Sequence, residues 1–246
     1  MPSCKHGHYR TNRSRSYAPI AGRCTCIWNS RRTNQITIEK DTIVNTSTPA
    51  GNRKLTLDDI ADLRAYERER AEFRSHMIEV KRKRRVALGD IMTIMFENRD
   101  TMRLQIQEMI RAEKLVTDEG VLEELKVYNP MIPMPGQLCA TLFLELTSEE
   151  QVREWLPKLA GLENSISLKL SDGSTVRGAI DAQHAAGLTR PDVTAAVHYL
   201  TFEFTPEQVE QFAFGPVSVV CDQPQYLKVA ELSSVTKDEL LTDLRP

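Results

Sequence analysis

Large apolar residues divide this 246-residue chain into two parts with very different capacities to fold. Residues 1–53 contain no Leu, no Phe and a single valine, Val44. So few apolar side chains cannot bury enough surface to offset the conformational entropy that folding removes. We therefore expect residues 1–53 to be a disordered extension and residues 54–246 to form a single globular domain.

Charge divides the chain at the same point. The first 53 residues carry nine Lys and Arg against two acids, a net charge of +7, whereas the other 193 residues carry 23 against 32, a net charge of −9. The extension also holds five metal-ligating side chains, which are Cys4, His6, His8, Cys24 and Cys26. Their spacing differs from the C-x₂-C pattern of most zinc sites. A zinc site and a nucleic-acid-binding arm, the latter formed by the arginines of residues 10–15, remain as alternatives to a disordered segment.

The extension can also be explained as sequence translated from upstream of the true start. Val44 precedes a polar stretch, residues 45–52, that leads directly into the first helix signal. Valine codons of the GTG type can initiate translation in bacteria, so Val44 is a candidate first residue. We expect residues 1–43 to be dispensable for folding.

The chain lacks the signals of membrane and secreted proteins. No segment approaches the roughly 20 consecutive apolar residues that span a bilayer, and the N-terminus has no apolar signal-peptide core. Residues 54–246 contain only two cysteines, Cys139 and Cys221. So few cysteines fit a reducing compartment, in which proteins carry no disulfide framework. We therefore expect a cytoplasmic protein that does not interact with a membrane.

Cofactor and nucleic-acid signals are also missing from the sequence. There is no G-x-G-x-x-G or Walker-type loop, and residues 54–246 offer no closed set of Cys and His ligands. We therefore expect no cofactor and no bound metal. The negative charge of this part of the chain argues against nucleic acid as a partner.

Apolar spacing predicts a helical first half. Thr56 and Asp59 form a capping-box pattern, and apolar residues then recur at helical spacing to about Arg85. Residues 91–96 predict a buried strand, a second helix follows from about Arg99, and a third helix lies around residues 121–125. Residues 129–136 contain three prolines, which favours an extended loop.

Strand signals dominate the second half. Strands are predicted at residues 138–146, 166–170, 193–204, 217–221 and 226–232, and helices at residues 149–160, after a Thr205 cap and after a Thr236 cap. Helices followed by strands predict an α+β fold, in which N-terminal helices pack on a mostly antiparallel sheet.

One constellation on the second helix suggests binding. Arginines and a glutamine recur there every four residues and so share a helix face, while other polar residues stand where the strand gives way to the helix. Helix starts offer free N–H donors, and guanidinium groups hold carboxylates and phosphates. We predict an anion- or partner-binding site formed by Glu97, Asn98, Arg99, Asp100, Arg103, Gln107 and Arg111.

A structural role is the alternative for these arginines. On this interpretation the arginines form ion pairs with Glu108, Glu113 and neighbouring acids, and the helix face is exposed to solvent. The basic run Lys81–Arg85 has a similar explanation, since cations are favoured at the C-terminal end of a helix.

Five stretches of the sequence recur together in a known family. They are residues 54–60, 96–101, 107–113, 128–130 and 192–199, with the sequences KLTLDDI, FENRDT, QEMIRAE, YNP and DVTAAVHY. In this order they resemble a bacterial family catalogued as domain of unknown function 3501. The resemblance runs from about Lys54 to Arg245 and carries over no catalytic residue.

The resemblance implies partners rather than a reaction. Members of that family tend to be encoded beside rubrerythrin-like and heterodisulfide-reductase-like iron–sulfur proteins. It therefore implies a non-catalytic accessory or binding protein that works with rubrerythrin-like or iron–sulfur redox proteins. The alternative function is an enzyme acting on a small anionic substrate held by the arginine-lined helix face.

Overall fold

The computed structural model describes residues 53–180 and 193–245. The Cys and His cluster, like residues 1–52 of the predicted extension, lies outside the described residues, so the predictions made for that segment stay predictions. The described residues belong to one compact unit, Thr46–Pro246.

Six helices and eight strands are described. The helices are α1 (Leu63–Arg84), α2 (Arg99–Glu113), α3 (Asp118–Tyr128), α4 (Glu149–Lys158), α5 (Pro206–Phe214) and α6 (Ser234–Leu244). The strands are β1 (Arg85–Ala87), β2 (Met92–Glu97), β3 (Gln137–Leu144), β4 (Ile166–Lys169), β5 (Thr175–Ile180), β6 (Val197–Glu203), β7 (Ser218–Cys221) and β8 (Lys228–Glu231).

The eight strands form one sheet in the order β1-β2-β3-β6-β5-β4-β7-β8. Every described pairing is antiparallel. One residue in two along each strand points to the inner face, as the period of a strand requires. Ile94, Leu142 and Leu200 are such residues, and together with side chains from the other strands they form one continuous apolar core.

The sheet curls around this core until its two ends meet. The Tyr226 hydroxyl, just before β8, donates to the Leu88 carbonyl at 2.9 Å and accepts the Ile91 N–H at 3.2 Å, so it bridges the turn between β1 and β2. Gly89 of that turn has φ 77°, and a Cβ there would clash with the Tyr226 hydroxyl. The result is a nearly closed sheet.

The helices of the first half cover part of the outer face of the sheet. Strand β2 is buried along its whole length, and α1 packs against it. A second apolar core forms there from Ile106 and Ile110 of α2 and Leu125 of α3, and Tyr199 of β6 packs against it.

The predicted arrangement of the helices is corrected by this architecture. The fold is mixed α and β, but the helices are not N-terminal, because three precede β3 and three follow it. Strand β1 was missed because only Val86 of its three residues is buried, which leaves no alternating pattern to detect.

Two helix starts also differ from the predictions. The Thr56–Asp59 capping box is present, but it closes only a 3₁₀ turn, and α1 begins after Asp62, whose carboxylate accepts the Ala65 N–H at 2.8 Å. Helix α6 is capped by Ser233 rather than Thr236. In both places several cap-forming residues stand close together, and local sequence does not decide which one is used.

Candidate functional site

The candidate site begins where β2 ends and α2 starts. Asn98 is the N-cap of α2: its side-chain oxygen accepts the Thr101 N–H at 2.9 Å, and the Thr101 hydroxyl accepts the Asn98 N–H at 2.9 Å. The remaining N–H groups of the first turn have no acceptor within the helix. The positive end of a 15-residue helix therefore lies at this position.

Arg99 and Arg103 are brought together around Asp59. Nη2 of Arg99 lies 2.5 Å from Oδ1 of Asp59, and Nε of Arg103 donates to the Asp59 main-chain oxygen at 2.9 Å. Arg103 also approaches Glu69 at 3.4 Å and stacks over the Phe73 ring at 5.0 Å from its centroid. Both arginines thus have intrachain partners.

Gln107 and Arg111 lie further along the same face of α2. The buried Gln107 amide donates to the Ala61 carbonyl at 3.0 Å and accepts the Ala61 N–H at 3.1 Å. Nε of Arg111 lies 2.5 Å from Glu67 of α1. This part of the face holds α1, and the residues before it, against α2.

Glu97 is buried at the end of β2, with 6% of its surface exposed. Oε1 accepts the Thr141 hydroxyl at 2.6 Å, but Oε2 has no hydrogen-bond partner among the described residues. Burial, with smaller contributions from Tyr128 and Glu97, raises the pKa of Tyr199 on β6 to about 12. For Glu97, a buried carboxylate oxygen without a hydrogen-bond partner is energetically costly.

Arg84 was missed as an individual residue because it lies within a basic run. Its side chain is fully buried, its Nε donates to the Phe96 carbonyl at 3.1 Å, and its two terminal nitrogens contact Glu239 at 3.0 Å and Asp243 of α6. Burial lowers the pKa of Arg84, and the nearby Glu239 partly opposes this shift. The available signal was helical spacing, since Arg84 lies seven residues after the buried Met77.

A cleft of about 210 Å³ opens beside the first turn of α2. Its lining combines two arginines, one aspartate, two neutral polar residues and two apolar residues. They are Arg53, Asn98, Arg99, Ile132, Pro133, Thr242 and Asp243. Two of the seven residues predicted from the sequence, Asn98 and Arg99, therefore line this cleft.

Arg53 belongs to the segment that the sequence predicts to be a disordered extension, yet it contacts the end of α6. Its two terminal nitrogens donate to the main-chain oxygens of Asp243 at 2.5 Å and of Arg245 at 2.7 Å. These carbonyls have no acceptor role within the helix, so Arg53 satisfies them. The contact spans 190 residues, and composition alone carries no information about it.

A family model described as a protein of unknown function, DUF3501, matches residues 54–244. The chain belongs to the DUF3501 family. The match begins at Lys54, whose ammonium donates to the main-chain oxygens of Asn129 and Ile132 at 2.9 and 2.7 Å. All of the strands described above, and every residue that lines the cleft except Arg53, fall inside the DUF3501 region.

This DUF3501 chain is also similar to a solved structure. A protein of unknown function from Burkholderia pseudomallei, determined by crystallography at 1.90 Å resolution, is 33% identical to it with a TM-score of 0.72. The similarity covers 78% of this chain and 99% of that one. No curated protein matches the chain.

Other candidate chemistry is sparse in the described part of the DUF3501 chain. Residues 53–180 and 193–245 contain no helix long and apolar enough to cross a membrane, and no group of three His, Cys, Asp or Glu that could hold a metal ion. Cys139 and Cys221 are buried. His198 is a buried sheet residue, with Nε2 2.8 Å from the Thr194 hydroxyl and 2.9 Å from the Ala195 carbonyl.

Proposed function

We propose that this DUF3501 chain is a non-catalytic binding protein that recognises an anionic group, a carboxylate or a phosphate, in the cleft at the start of α2. The supporting observation is that Arg53, Arg99 and the Asn98-capped end of α2 converge on one cleft. Guanidinium groups and helix N-termini both favour bound anions.

One feature supports binding rather than catalysis. The enzyme alternative needs the whole arginine face as a substrate clamp, whereas Arg103 and Arg111 contact Glu69 and Glu67 of α1. The proposed site therefore keeps Asn98 and Arg99 and adds Arg53.

Titration of the full chain with sodium acetate and with inorganic phosphate, followed by ¹H–¹⁵N NMR, tests this proposal. We expect one of the two anions to shift the amide signals of Arg99, Asp100 and Thr101. Arg99→Gln should weaken that binding by about 1.5–3 kcal/mol, the range for hydrogen bonds to charged groups.

Arg153→Gln is the matched control for this titration, because it removes an arginine whose exposed pair with Glu149 lies on α4. It should leave binding unchanged. If neither anion moves the signals of the first turn of α2, the cleft is not an anion site.

The family resemblance adds rubrerythrin-like or iron–sulfur proteins of the cytoplasm as proposed partners. Pull-down from native cells with the wild-type chain and with Arg99→Gln, followed by metal analysis, tests this second element. Iron-containing protein that is retained by the wild type and lost by the variant supports it. Equal retention by both chains, or no retained iron, contradicts it.

A further inference from the structure

We infer that the cleft binds a carboxylate that carries an N–H donor and a short apolar side chain on its α-carbon, the chemistry shared by a free amino acid and the last residue of a polypeptide. This inference rests on the anion-binding function proposed above. It narrows that function because a simple anion would use only the cationic part of the cleft wall. The other lining residues include Asp243, which can accept a hydrogen bond, and the apolar Ile132 and Pro133. A ligand that matches them carries a hydrogen-bond donor and apolar atoms.

The two guanidinium groups are held in place by intrachain bonds. Arg99 is fixed by Asp59, and Arg53 by the main-chain oxygens of Asp243 and Arg245. Each terminal guanidinium nitrogen carries two hydrogens, so these bonds leave N–H groups for a ligand. The positive charge is therefore preorganised, which favours binding of a carboxylate.

Asp243 provides an acceptor in the same cleft. Its side chain is 13% exposed, and its Oδ2 contacts Arg84, whose side chain is fully buried. This contact uses Oδ2 and leaves Oδ1 outside it. A carboxylate in the wall repels a ligand that carries only negative charge, whereas it attracts an ammonium or an amide N–H.

Arg84 connects this acceptor to the end of β2, where Glu97 precedes the cleft residue Asn98. Nη2 of Arg84 approaches the Glu97 carbonyl at 3.4 Å and also contacts Asp243, so Arg84 links the end of β2 to this acceptor. With Arg53, Arg99 and Asp243 in its lining, the cleft combines both signs of charge.

Ile132 and Pro133 supply the apolar part of the lining. The backbone at Ile132 is fixed because its carbonyl accepts the Lys54 ammonium at 2.7 Å. The cleft volume of about 210 Å³ suits a short side chain and excludes a drug-sized ligand. The wall thus offers a partner for each part of the ligand: the arginines for its carboxylate, Asp243 for its nitrogen, and Ile132 with Pro133 for its apolar side chain.

Calorimetric titration of the full wild-type chain with four related probes tests the inference. The probes are leucine, N-acetyl-leucine, leucinamide and 4-methylpentanoate. Leucinamide lacks the carboxylate, and 4-methylpentanoate lacks the nitrogen. We expect leucine or N-acetyl-leucine to bind at least tenfold more tightly than both of the others, a difference of about 1.4 kcal/mol.

The preferred probe identifies the source of the group. Preference for leucine indicates a free amino acid, and preference for N-acetyl-leucine indicates the end of a polypeptide. If 4-methylpentanoate binds as tightly as leucine and N-acetyl-leucine, or if none of the four binds while acetate or phosphate does, the inference is overturned and the anion-binding function stands. If leucinamide binds as tightly as leucine and N-acetyl-leucine, the carboxylate is not recognised and the inference is overturned, and the titration with acetate and phosphate decides the anion-binding function. If no probe and neither simple anion binds, both are overturned.

Asp243→Asn tests the proposed acceptor directly. This variant keeps an oxygen for Arg84 but removes the negative charge, so the preference for the favoured probe over 4-methylpentanoate should disappear. Asp222→Asn, which alters an exposed pair with Arg177, should leave that preference unchanged. An unchanged preference in Asp243→Asn rejects Asp243 as the acceptor, and if that variant fails to fold, the four probes on the wild-type chain decide alone.

Discussion

Three side chains of α1 converge on the carboxylate of Glu108 on α2. Tyr66 donates to it at 2.6 Å, Arg70 at 2.8 and 2.9 Å, and Arg74 at 2.9 Å. Burial alone would raise the pKa of Glu108, but the hydrogen bonds from Arg70 and Tyr66 outweigh burial and lower this pKa to about 2. At the scale of single residues, this carboxylate is the main polar link between α1 and α2.

Replacing this carboxylate should destabilise the fold. Glu108→Gln keeps the shape of the side chain but removes the charge that three donors share, so we expect a loss of about 1.5–3 kcal/mol in the free energy of unfolding. Urea denaturation measures it. Glu79→Gln is the control, because it alters an exposed pair with Arg82 and should cost no more than about 0.5 kcal/mol; equal losses in the two variants would contradict this role.

The lowered pKa of Glu108 also predicts how the free energy of unfolding depends on pH in acid. The pKa of Glu108 in the folded chain, about 2, lies below its ordinary value of 4.5, so between these pH values the unfolded chain binds more protons. Its stabilisation is complete above about pH 4.5 and is lost as the pH falls towards 2. The free energy of unfolding should therefore fall more steeply in the wild type than in Glu108→Gln, and parallel acid limbs would contradict this assignment.

At the scale of elements, sequence predicts best where the signal is local. Helix α5 begins at Pro206 after a Thr205 cap, as predicted, because both residues act within one turn. Strand β3 also lies where alternation placed it. The cleft could not be predicted in the same way, because Arg53, the start of α2 and the end of α6 are far apart in the chain and meet only after the sheet has formed.

The cap of α2 offers a prediction at this scale. Asn98→Ala removes the acceptor of the Thr101 N–H, and losses at such N-caps are typically about 1 kcal/mol. Chemical denaturation of this variant should show that loss. Ser148→Ala, which removes the corresponding cap of α4, should give a loss of the same size; if Asn98→Ala costs nothing, the cap does not stabilise α2.

At the scale of the whole molecule, one hydroxyl holds the two ends of the sheet together. Tyr226 contacts Leu88 and Ile91 across 138 and 135 residues of chain, and its ring packs edge-on against Trp155 at 5.7 Å between centroids. The ring fills the core while the hydroxyl satisfies the buried backbone of the turn between β1 and β2. Closure of the sheet therefore depends on the Tyr226 hydroxyl, a polar group that is buried among apolar side chains.

Tyr226→Phe separates these two contributions. The ring stays, but a buried carbonyl and a buried N–H lose their partner, so the free energy of unfolding should fall by about 1–3 kcal/mol. Hydrogen exchange at Ile91 should accelerate relative to amides in the middle of β3. Unchanged stability together with unchanged exchange at Ile91 would show that the hydroxyl does not hold the ends together.

The extension makes a second prediction at this scale. A chain that starts at Val44 keeps Arg53 and the family region, so its melting temperature should match that of the full chain within about 2 °C. A loss of 1 kcal/mol lowers the melting temperature of a domain of this size by about 2–4 °C. A larger drop would mean that residues 1–43 stabilise the folded domain.

The buried Arg84 has a consequence for biosynthesis. Its counter-charges, Glu239 and Asp243, belong to α6, which follows all eight described strands. While the ribosome is still making the sheet, closing it would enclose a guanidinium without a carboxylate, at a cost of several kcal/mol. The final packing around Arg84 therefore has to wait until α6 has been made and can supply both carboxylates.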